Sequence, residues 1–136
     1  MAKGKVGLGR RGETLAAEAL QQRGFTLVAQ NWHCPEGEAD LIAQRAGEWY
    51  FVEVRTRRET GRAGAEGYGS PEASLTPRKL ARMEAVARRY LSAQGTDEAD
   101  DVAWHVSFVA VGLDGAGRLQ RITVYLDPES EPWEII

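Results

Sequence analysis

The sequence has a single cysteine, Cys34, so no disulfide can close within the chain. It has no run approaching the ~18 consecutive apolar residues of a membrane-spanning helix. Its basic start, MAKGKVGLGRRGE, is not followed by the apolar core of a signal peptide. These absences lead to the expectation of a cytoplasmic protein without a membrane partner. Only two histidines, His33 and His105, could join Cys34 at a zinc ion. Their spacing fits no paired-ligand motif, and roughly four ligands are normal for structural zinc, so zinc is not expected. Lysine is scarce, with 3 Lys against 14 Arg. Internal repeats are lacking.

What is present describes one globular domain over residues 1–136, with 43% hydrophobic and 27% charged residues. The net charge of −3 speaks mildly against a nucleic-acid partner. Its distribution speaks the other way: residues 1–96 carry a net +4 and residues 97–136 a net −7. A local anionic partner suits the basic two thirds.

Apolar periodicity predicts a helix from about Gly12 to Gln22, where Leu15, Ala16, Ala19 and Leu20 share a face and Gly24 stops it. Phe25–Trp32 reads as a strand that HCPEG interrupts. Glu38–Arg45 and Glu48–Arg55 flank Ala46-Gly47 as a hairpin. Residues 56–71, rich in glycine and without periodicity, read as a flexible loop. A second helix runs from about Thr76 to Gln94, with Thr76 as N-cap and Pro77 in its first turn. Leu80, Met83, Ala87, Tyr90 and Leu91 form its apolar face, and Arg78, Arg82 and Arg89 its opposite, basic one. VAWHVSFVAVGL and LQRITVYL supply two more strands. The acidic tail over about 127–136 either packs through Trp133 or hangs free. Trp32, Trp49 and Trp104 fall in strands and read as packing residues rather than platforms for bases.

The hairpin register can be computed. A tight turn centred on Ala46-Gly47 pairs Arg45 with Glu48, Ala43 with Tyr50, Ile42 with Phe51 and Asp40 with Glu53. Asp40 and Glu53 would then stand about 4.5–5.5 Å apart at Cβ, and Glu38 would face Arg55. Opposed carboxylates repel, so either one takes up a proton or a cation sits between them. A hard divalent ion, Mg²⁺ or Mn²⁺, prefers such oxygen ligands. Glu13, on the inward side of the first helix, is a third candidate ligand. A bland alternative is that Glu13 complements the helix dipole and that Arg45 and Arg55 neutralise the two strand acids.

The ordered set GRRGETLAAEALQQRGFTLVAQNW, GEADLI, FVEVRTR, YGSPEASLTPRKL and RRYL resembles the YraN-like family of small bacterial proteins over roughly residues 9 to 125. That family is assigned to the restriction-endonuclease-like fold and is similar to archaeal Holliday-junction resolvases. The resemblance implies an α/β fold with a single mixed sheet of about five strands, in the order α-β-β-β-α-β-β, flanked by helices. Its pattern is the PD-(D/E)xK nuclease signature, which implies hydrolysis of DNA phosphodiester bonds, with branched DNA a candidate substrate. Glu13, Asp40 and Glu53 would hold Mg²⁺ or Mn²⁺, and Asp40, Glu53 and the residue two places on would be catalytic. Likeness to resolvases implies a homodimer.

The sequence departs from this pattern twice. Arg55 stands where the motif has lysine, and Ser107 where many relatives align an aspartate. Arginine stays protonated, so Arg55 keeps an electrostatic role and loses a proton-transfer one. Lys79, near the start of the second helix, is a candidate substitute. Arg57, Arg58, Arg62, Arg78, Lys79 and Arg82 are the expected nucleic-acid contacts. The alternative is a catalytically inactive nucleic-acid-binding or scaffolding protein on the same fold.

Overall fold

A computed structural model describes residues 3–59, 70–95 and 102–135, with side chains from residue 7 onward. Its elements are α1 (Lys3–Gln22), β1 (Thr26–Cys34), β2 (Gly37–Arg45), β3 (Glu48–Arg58), a short 3₁₀ turn (Pro71–Ser74), α2 (Pro77–Ala93), β4 (Trp104–Leu113), β5 (Leu119–Tyr125) and β6 (Trp133–Glu134). One six-stranded sheet runs in the order β1-β2-β3-β4-β5-β6. Only β3 and β4 are parallel, joined through α2; the other pairs are antiparallel. The mixed sheet with helices is therefore as expected, with one strand more.

The two helices cover opposite faces. Ala16, Ala17 and Leu20 of α1 pack with Leu41, Tyr50, Val52, Val54 and Val109. Val86, Ala87, Tyr90 and Leu91 of α2 pack with Ala39, Ile42 and Phe51. The alternation of β3 is thus as read from sequence: Val52 and Val54 on one face, Phe51 on the other. β4 lies inside the sheet and is buried from Val106 onward, which explains its unbroken apolar run. Trp32 and Trp49 pack edge-on or tilted against Tyr90, and Trp104 against Phe51, as packing residues do.

Several boundaries differ from the sequence reading. α1 begins at Lys3, nine residues before Gly12, because Leu8 packs on the core and tertiary contact overrides the local cost of glycine. β1 continues through His33 and Cys34, which pair with Glu38 and Gly37. β3 runs on to Arg58, since Thr56, Arg57 and Arg58 pair with Val111, Gly112 and Leu113 of β4. The expected loop over 56–71 is therefore strand at its start and 3₁₀ turn at its end, and its middle, 60–69, lies outside the described residues. The tail packs: Trp133 pairs with Val124 and lies 6.2 Å from the Phe25 ring.

Arg121 ties the ends that flank 60–69. Its guanidinium donates to both oxygens of Glu59 and both of Glu72, at 2.8–2.9 Å. Those bonds, first of all, hold the Glu72 carboxyl at about 2.

The β2–β3 turn places Ala46 at φ 53 and Gly47 at φ 79. Both central residues are left-handed, which favours asparagine and glycine over alanine. Ala46→Asn is expected to stabilise the fold by about 1 kcal/mol, read as a higher urea midpoint with an unchanged slope.

Candidate active site

The β2–β3 ladder follows the computed register from Arg45–Glu48 to Leu41–Val52 and stops there. Asp40–Glu53, the next step, is not a ladder pair. Ala39 and Ile42, three residues apart, both pack in the α2-side cluster, so the alternation of β2 slips between them. The slip frees Asp40 from strict pairing. Its Oδ2 accepts the Val54 N–H at 2.8 Å, a side chain taking a strand's backbone donor. The expected Glu38–Arg55 pair is likewise replaced: Glu38 lies 3.5 Å from His33, and Arg55 lies 3.6 Å from Glu53.

Where the strands part, an open cleft of about 470 Å³ is lined by Leu8, Gly9, Glu13, Asp40, Glu53, Val54, Arg55, Thr56 and Arg57. Three carboxylates from three elements, α1, β2 and β3, therefore share one cleft. Burial first, then the charge of Glu53, pushes Asp40 up to about 7, with Glu13 and Glu38 adding to the rise and the Val54 N–H opposing it. Burial also raises the Glu13 carboxyl; the Asn31 amide opposes this as a hydrogen-bond donor, while Glu38 and Glu53 reinforce it. Glu13 sits ten residues into α1, so the helix-dipole explanation for it does not apply.

The cations are sorted by the fold. Lys79 Nζ lies 2.8 Å from Glu53 Oε2. Arg45 does not neutralise the acids; its guanidinium stacks over Phe25 and Trp133, at 4.4 and 4.9 Å. Arg57 lines the cleft, whereas its neighbour Arg58 points to the β4–β5 turn near Gly117. Arg78 and Arg82 are exposed on α2. Arg89, grouped with them in the sequence, is instead tied to Glu36 by two bonds of 3.0 and 2.7 Å. Arg62 lies outside the described residues. Ser107 is buried, donates to the Leu126 carbonyl at 2.7 Å and does not line the cleft.

Among the described residues, no three His, Cys, Asp or Glu side chains are close enough together to grip an ion as they stand. The Lys79 ammonium on Glu53 and the Val54 N–H on Asp40 engage two of the three acids. The donor chemistry nonetheless fits a hard divalent cation. All three side chains offer oxygen, and two are held above their ordinary pKa partly by their neighbours' charge.

Sequence reasoning missed Asn31. It has φ 51 inside β1, between Gln30 and Trp32, whose partners Leu41 and Ala39 bracket Asp40. Non-glycine residues held there often mark functional sites. A left-handed conformation within a strand leaves no signature in one sequence beyond the asparagine itself.

The family model described as "Uncharacterised protein family UPF0102" matches residues 12–114. Over 120 residues the chain is 37% identical to a UPF0102 protein of Acidothermus cellulolyticus, covering 88% of this chain and 86% of that one. It is 38% identical over 117 residues to a UPF0102 protein of Roseiflexus castenholzii, covering 86% of each. A UPF0102 protein of Clavibacter michiganensis subsp. michiganensis is 49% identical over 80 residues, 59% of this chain and 63% of the relative.

Proposed function

The chain belongs to the uncharacterised protein family UPF0102, and from that footing we propose that it is a metal-dependent nuclease hydrolysing phosphodiester bonds in DNA. One observation carries the reading: Glu13, Asp40 and Glu53, from three separate elements, line one open cleft together with Arg55 and Arg57. Like charges gathered at a partly buried place cost stability, so they mark a site kept for its chemistry. Mg²⁺ or Mn²⁺ held by the three acids would polarise a phosphate and lower the pKa of a bound water. Arg55 and Arg57, which line the cleft, would bind phosphate oxygens, and exposed Arg78 and Arg82 would hold a backbone further along. Branched DNA is the proposed preferred substrate, and a homodimer goes with it, because a four-way junction needs two cuts.

Arg55 in the place of the motif lysine favours a second reading, a nucleic-acid-binding protein that does not cut. Calorimetric titration of Mn²⁺ into the parent protein and Asp40→Ala, followed by cleavage assays on linear, branched and single-stranded DNA, separates the two. The nuclease reading expects Asp40-dependent binding and metal-dependent cuts. Binding without cuts leaves the second reading, and no Asp40-dependent binding removes the metal site.

A further inference from the structure

Lys79 is the residue whose placement exceeds what the family reading requires. It opens α2 at a fixed point: Thr76 Oγ1 accepts the Lys79 N–H at 3.2 Å, and Pro77 begins the helix. From there Nζ reaches Glu53 Oε2 at 2.8 Å, with 23% of the Lys79 side chain exposed against 12% for Glu53. Arg55 Nη2 lies 3.6 Å from the same oxygen. One carboxylate oxygen thus faces two cations from two elements. The two differ in kind. Arg55 is fixed to a central strand, and its Nε is buried without a protein partner among the described residues. Lys79 is a compact charge on a flexible four-carbon stem.

We propose that Lys79 supplies, from α2, the positive charge that the motif would place at position 55. Without metal, its ammonium balances Glu53. With a divalent cation held by Glu13, Asp40 and Glu53, Lys79 would no longer be needed to balance Glu53 and would be free to swing to an oxygen of the scissile phosphate. It is then a catalytic residue that stabilises the charge developing on phosphorus-bound oxygen, while Arg55 remains a fixed phosphate contact. The inference rests on the nuclease reading and deepens it. It explains how an arginine at 55 is compatible with activity: the lysine has another address.

Two measurements on Lys79→Ala test it, with Lys79→Met as the variant that keeps the apolar stem should the alanine fail to fold. Removing the competing ammonium is expected to tighten Mn²⁺ binding about tenfold by calorimetry. The same change is expected to lower the rate on the DNA that the parent cuts by about 10²-fold or more. Adding Arg55→Lys to Lys79→Ala is expected to restore at least part of that rate by returning lysine to the motif position. Tighter metal binding with slower cutting is a combination that a merely structural lysine does not produce. A parental cleavage rate in Lys79→Ala overturns the catalytic role. Unchanged or weaker Mn²⁺ binding overturns the displacement. If the parent binds Mn²⁺ through Asp40 but only this pattern fails, the nuclease reading stands without Lys79; if the parent binds no Mn²⁺, both fall.

Discussion

In chelator at pH 8, Asp40→Asn is expected to unfold later than the parent protein, by about 2 kcal/mol, and to lose that advantage as the pH is lowered toward about 4. The sign follows from the direction of the shift. The Asp40 carboxyl titrates at about 7 in the folded chain against an ordinary 3.8. Below the lower value both folded and unfolded chains carry the proton, and Asp40 is neutral in each. Between the two the unfolded chain releases its proton more readily than the folded one, so stability declines as pH rises, and above about 7 the penalty is constant. Asparagine imitates the neutral form at every pH and can still accept the Val54 N–H that Asp40 accepts at 2.8 Å. The groups that set the shift after burial are Glu53, Glu13 and Glu38, all from neighbouring parts of the fold. The full shift corresponds to roughly 4 kcal/mol, which partial solvent exposure of Asp40 reduces by about half. Added Mn²⁺ should reverse the ranking. A cation bound only to the folded parent stabilises it by about 3 kcal/mol at a hundredfold excess over Kd, and asparagine forfeits that. Urea melts at pH 4, 6 and 8, with and without Mn²⁺, read this directly. A variant less stable than the parent at pH 8 in chelator would show Asp40 to be a satisfied structural acid.

The register that brings Asp40 near Glu53 was open to reading because a tight turn fixes every pair above it: Ala46-Gly47 determines Arg45–Glu48 and all steps to Leu41–Val52. The slip at Asp40 was not, since it depends on how β2 packs against α2. Thr76 and Pro77 mark the start of α2 in sequence because capping is local. That Lys79, three residues on, touches Glu53 is decided by the docking of a helix on a sheet; the sequence offered it as a candidate and nothing more. Trp133 shows the same limit at the other edge: a two-residue strand far along the chain carries no periodicity, and its place was set by Val124, Phe25 and Arg45. Gly12 misled in the opposite direction. Local propensity reads it as a helix boundary, whereas it is a contact point inside a longer helix.

That contact carries the second large effect. Gly12→Ala is expected to destabilise the protein by about 3 kcal/mol and to weaken Mn²⁺ binding, although alanine in a helix interior normally gains about 1 kcal/mol over glycine. A Cβ on Gly12 would overlap Thr56 Oγ1 and come within 2.9 Å of Thr56 Cβ and 3.2 Å of its Cγ2. Rotating χ1 can swing Oγ1 and Cγ2 aside but does not move Thr56 Cβ, whose approach of 2.9 Å remains. Thr56 is itself buried on β3, hydrogen-bonded in register with Val111 of β4, and cannot retreat. α1 must therefore lift from the sheet, and Glu13, the next residue, leaves the cleft it shares with Asp40 and Glu53. Gly7→Ala is the internal control. Nothing lies within 4 Å of a Cβ there, so the same substitution five residues earlier should stabilise. Thr56→Ala removes Oγ1 and Cγ2 and leaves Cβ, so it should rescue Gly12→Ala in part, giving a coupling of about 1–2 kcal/mol in a double-mutant cycle. If Gly12→Ala and Gly7→Ala shift the melting midpoint alike, the close approach of α1 to β3 does not position Glu13, and the carboxylate cleft must be assembled by other contacts.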